Sequence, residues 1–109
     1  MFEFGTVVLV PFPFTNLEST TVRPALVISK KTSSDDVILA FITSQKERHG
    51  LVIDEDDEVF RKSGLKVTST VRFDKIATLS KKLILGKLGA LPKKFLSGKK
   101  SEFFEVFGF

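Results

Sequence analysis

The 109-residue sequence contains no cysteine. That excludes a disulfide framework and a thiolate zinc site, and nothing argues for an oxidising compartment, so a cytoplasmic location is expected. Histidine is almost as scarce. His49 stands alone, so a Ser-His-Asp or Cys-His arrangement would have to use it, and its charged loop favours a surface histidine. No HExxH, Walker A loop or Gly-x-Gly-x-x-Gly occurs, which leaves metalloprotease, NTPase and dinucleotide chemistry without support. The opening MFEFGTVVLV lacks the basic start and cleavage site of a signal peptide, and no apolar run approaches the ~18 residues of a membrane span. The chain reads as soluble.

What is present is ordinary globular composition. Hydrophobic residues make up 42% and charged residues 28%, which excludes a wholly disordered chain, and the length fits one domain spanning residues 1–109. The charge is uneven: residues 1–60 carry five Lys/Arg against ten Asp/Glu, residues 61–109 twelve against three. A positive face with phosphate as its ligand and a lysine-rich solubilising surface both fit that asymmetry.

Six short apolar segments, separated by turn signals, predict strands at 6–12, 24–29, 37–43, 51–53, 68–76 and 83–88. Several are apolar at consecutive positions, which predicts burial on both faces. With no long helical period between them, they read as a small, mostly antiparallel all-β barrel or sandwich. A helical turn is expected around 58–62. From Pro92 to Phe107, Leu96, Phe103, Phe104 and Phe107 fall on one helical face that either covers an open end of the barrel or joins a dimer interface. Gly98 is a break point in that helix, costing roughly 1 kcal/mol against alanine.

Candidate chemistry gathers at strand edges. Arg23 begins the second strand, Thr43 and Ser44 end the third, and Arg72 and Asp74 lie two apart in the fifth, on one face and flanked by Val71 and Phe73. A plain same-face salt bridge is the simplest reading of that last pair. The carboxylates of residues 54–58 suggest a metal only weakly, because neighbours on so short a stretch point apart and stay solvated.

The segments GTVVLV (5–10), PFPFT (11–15), VRPALVIS (22–29), ITS (42–44), SGL (63–65), VRFDKIATL (71–79) and LILGKLGALP (83–92) together resemble the PemK/MazF family of toxins. No single piece is specific, but their order and spacing are. The resemblance implies an SH3-like small β-barrel with a C-terminal helix and a metal-independent, cofactor-free endoribonuclease that cuts single-stranded mRNA. It implies that Arg23 and Thr43 act at the phosphate, and that Asp74 is the base and Arg72 the acid. A guanidinium rarely gives up its proton, so Arg72 acting electrostatically fits equally. Candidate RNA-binding positions are Phe14, Thr15, Asn16, Glu18, Ser44 and Lys75, with Phe14 and Asn16 able to stack on or hydrogen-bond a base. Implied partners are a second copy forming the RNA groove and a MazE/PemI-like antitoxin, with DNA met only through the antitoxin and no membrane.

Two departures matter. Thr6 stands where members often carry an acid, and residues 15–21 contain no histidine, leaving Glu18 as the only ionisable group in that loop. The alternative is an inactive or protein-directed binding module on the same barrel, as in gyrase-directed toxins.

Overall fold

The computed structural model describes residues 2–12, 21–30, 35–44 and 50–108. The order of elements is β1 (Thr6–Phe12), β2 (Thr21–Val27), β3 (Asp36–Thr43), β4 (Leu51–Ile53), α1 (Phe60–Ser63), β5 (Ser69–Ser80), a 3-10 turn (Lys81–Leu83), β6 (Gly86–Ala90), α2 (Lys93–Ser97) and α3 (Lys100–Phe107). All six strands join one antiparallel sheet in the order β4-β5-β3-β2-β1-β6. It curls into a half-barrel, the mainly β architecture expected from the strand pattern.

Burial on both faces follows from the consecutive apolar runs. Val7, Leu26, Ala40, Ile42, Val71 and Phe73 belong to one core, with Leu91 and Leu96. Val8, Val10, Ala25, Val27, Val37, Leu39 and Phe41 form the other. Neighbours in sequence thus divide between the two cores, as the period of two demands. Each large apolar side chain contributes roughly 1.5–3 kcal/mol when fully buried, so a one-residue slip that exchanged the faces is strongly disfavoured.

Three expected boundaries move. The second strand starts at Thr21 and ends at Val27, because β1 pairs with it out to Phe12–Thr21. The sixth begins at Gly86, since residues 81–83 turn instead, with Ser80 Oγ accepting from the Lys82 N–H at 3.3 Å. The fifth runs on to Ser80, prolonged by a bulge: Phe41 faces Arg72 while Ala40 faces Ile76, which leaves residues 73–75 without a partner on β3. An odd insertion reverses the alternation. Before it, Val71 and Phe73 enter the first core; after it, Ala77 and Leu79 pack against the second.

Helix α1 overlaps the expected turn, starting two residues later, and ends at Gly64, whose φ of 75° is left-handed. A Cβ there would run into the Leu88 backbone. Fully buried Ser63 ties this corner, its Oγ donating to the Phe60 carbonyl at 2.5 Å and accepting from the Leu65 N–H at 3.1 Å. The SGL segment is therefore scaffold. The C-terminal helix breaks at Gly98, as its sequence predicts, and continues as α3. Leu96 is buried and Phe103 packs on the first core, so the helices cover that face of the sheet. Phe104 and Phe107 stay exposed.

Candidate active site

Pro24 organises the rim. It has no N–H to give a neighbouring strand, and the β2–β3 ladder ends beside it at Ala25–Phe41. Arg23, held extended by the following proline, is exposed at the point where the two strands part. Carrying the register two residues further sets Arg23 opposite Thr43, which closes β3 and is half-buried. On its other side Thr43 pairs with Thr70 of β5, and Phe41 pairs with Arg72. Alternation then puts Arg23, Ala25, Phe41, Thr43, Thr70 and Arg72 on one face, at one end of three adjacent strands.

The bulge supplies the remaining group. Asp74 sits in the segment unpaired with β3, and its carboxylate takes a two-pronged grip from Arg72: Nε to Oδ1 at 2.9 Å and the terminal nitrogen to Oδ2 at 2.5 Å. Arg72 and Asp74 side chains are 23% and 38% exposed, so the pair is open to a ligand and partly screened by solvent. The Arg72 hydrogen bond lowers the Asp74 carboxyl below the ordinary carboxylate value, against a smaller opposing effect of desolvation, with the Arg72 and Lys75 charges adding to the lowering. Asp74 is therefore ionised at neutral pH.

The other expected positions divide. Ser44 and Lys75 are exposed beside Thr43 and Asp74. Phe14, Thr15, Asn16, Glu18 and His49 lie outside the described residues. Thr6 is buried and pairs with Ala90, at the end of β1 remote from the Val10–Arg23 pair. The acid missing at position 6 is thus missing from the far end of the strand. The carboxylates of 54–58 are all exposed, and no cluster fit for a metal occurs among the described residues. Thr70, buried beside Thr43, has no signal in the sequence, because a threonine in a strand carries no chemical mark of its own.

Comparison with solved structures finds the same fold at low identity. An endoribonuclease in complex with its cognate antitoxin from a mycobacterial species has a TM-score of 0.70 at 17% identity, covering 98% of this chain and 93% of that one. The Mycobacterium tuberculosis toxin MazF-mt6 has a TM-score of 0.75 at 16% identity, with 95% and 97% covered. The toxin fold in MazE-MazF from Deinococcus radiodurans gives 0.69 at 18%, with 98% and 96% covered. Comparison with curated proteins finds no match. Residues 3–101 match the family described as PemK-like, MazF-like toxin of type II toxin-antitoxin system, and the chain belongs to that family.

Proposed function

We propose that this toxin is a metal-independent endoribonuclease acting on single-stranded RNA, with residues 1–109 as one toxin domain. The observation that carries the reading is the convergence of Arg23, Thr43 and the clasped Arg72–Asp74 pair on one rim of three strands. In the reaction, the 2′-oxygen forms a bond to the adjacent phosphorus and the bond from phosphorus to the 5′-oxygen breaks. Asp74 takes the 2′-hydroxyl proton. Arg72 occupies two of its lone-pair positions, and a carboxylate has about four. Arg23 and Thr43 donate to the phosphate oxygens as negative charge builds on them, the task for which a planar, permanently charged guanidinium is suited. Arg72 holds Asp74 in place and offsets charge at the leaving oxygen, which takes its proton from solvent. Phe14, Thr15, Asn16, Glu18, Ser44 and Lys75 are the proposed contacts to flanking nucleotides.

A second copy and an antitoxin are the proposed protein partners, a reading supported by the family and by the solved relatives that carry antitoxin. Growth arrest in the cytoplasm would follow from cleavage of mRNA. The test is incubation of purified protein with a long single-stranded RNA in EDTA, beside Arg23→Ala. Cleavage by the wild type that the variant loses is expected. No cleavage rejects the mechanism in favour of a binding module, and equal cleavage by both rejects the mechanism built on Arg23.

A further inference from the structure

Behind the candidate active site, on the opposite face of β5, the sheet and α3 border a half-open cavity of about 210 Å³. Its floor is apolar and buried, formed by Leu26, Leu51, Phe73 and Leu96. Phe103 walls it, stacked edge-on to Phe73 with ring centroids 5.1 Å apart. The only charged residues among the described lining are Lys99 and Lys100, at the start of α3. The cavity exceeds the roughly 150 Å³ of an apolar cavity that holds benzene, so it has room for a ring or a short alkyl chain. Among the described lining residues no carboxylate accompanies the two lysines, which favours an anionic head group over a neutral or cationic one.

We infer that this cavity is a binding site for a small amphipathic carboxylate, its hydrocarbon body against Phe73 and Phe103 and its anionic head between Lys99 and Lys100. Phe73 also connects the cavity to the front of the sheet. It lies between Arg72 and Asp74 in the bulge, where β5 has no β3 partner to hold it in register. A ligand that presses on the Phe73 ring therefore displaces the clasp on the other face. The binding itself does not depend on the ribonuclease reading, and only its consequence for cleavage does.

The experiment is an NMR titration of the full chain with sodium octanoate, and with 1-octanol as the uncharged counterpart. Octanoate is expected to saturate, moving the Phe73, Phe103 and Leu96 resonances together with the Arg72 Nε–H. Octanol should bind at least about tenfold more weakly, one decade in affinity for the lost charge-assisted contact. The Lys99→Gln/Lys100→Gln protein, altered at one half-buried and one exposed position, should keep its fold and lose octanoate affinity by about the same factor. Failure to saturate, equal binding of the alcohol, or shifts centred elsewhere overturns the site. Movement of the same resonances on dilution, with no response to octanoate, overturns it by assigning the cavity to a second copy. Saturation that leaves the Arg72 Nε–H unmoved overturns the coupling.

Discussion

The two faces of β5 differ in what they ask of neighbouring residues. On the back, Val71 and Phe73 are 0% and 4% exposed and belong to a core closed by α2 and α3. On the front, Arg72 and Asp74 grip one another at the surface, in line with Arg23 and Thr43. The lesson is that a strand can place scaffold and chemistry at adjacent positions, because alternation separates them by the thickness of the sheet. Substitutions behind should cost stability first, and substitutions in front should cost activity first.

The largest effect expected is on the back. Phe73→Ala should lower unfolding free energy by about 3–5 kcal/mol, the usual range for emptying a buried phenylalanine site. Urea denaturation measures it, and a loss below about 1 kcal/mol would remove the distinction between the faces. Next comes its counterpart in front. Arg23→Ala should reduce RNA cleavage by roughly 10²–10³, as when one donor to a developing oxyanion is removed, while stability stays within about 0.5 kcal/mol because the side chain is exposed. Comparable losses of both would mean that Arg23 is structural.

A smaller effect is expected within the scaffold itself. Gly64→Ala should destabilise by about 2 kcal/mol, the cost of a left-handed conformation for a residue with a Cβ, made worse by the Leu88 backbone. Gly86→Ala, with nothing within 4 Å of the added atom, is the control expected to change thermal stability little. The smallest effect concerns Asp74, whose lowered carboxyl stays ionised in the folded state to a lower pH than in the unfolded chain. Its contribution is present above about pH 4 and disappears as pH falls through the folded value. Asp74→Asn should therefore cost at most about 1 kcal/mol at neutral pH, and the difference from wild type should vanish in acid. A difference that grew on acidification would reverse the sign assigned to the pair.

Much of this division was legible in the sequence. The runs TVVLVPF and DVILAFIT are short, rich in β-branched residues and apolar on successive positions, which fits a strand buried on both faces, and the strands form there. The spacing of Arg72 and Asp74 predicted a shared face, and the two side chains meet. Pro92 and Gly98 marked the start of the first C-terminal helix and the break before the second. The length of β5 was not legible: nothing in VRFDKIATLS says that residues 73–75 leave the ladder, because a bulge answers the partner strand and the curvature of the sheet. The exposure of Phe104 and Phe107 was equally hidden, since helical periodicity sets which residues share a face and not how far the neighbouring core reaches.

By itself, the sequence determined that VRPALVIS is extended, that its arginine stands at a strand's end, and that Arg72 and Asp74 project together. Those are consequences of local geometry: the proline ring, the missing N–H and the period of two. Only the tertiary structure decided that Arg23, Thr43 and the Arg72–Asp74 pair share one rim, because strand order and register bring together residues some fifty positions apart. It also decided that Phe73 lies between that rim and an apolar cavity behind it, which depends on where α3 comes to rest. Local sterics act within a few residues. Which strands become neighbours is set by burying both apolar faces of the whole sheet at once.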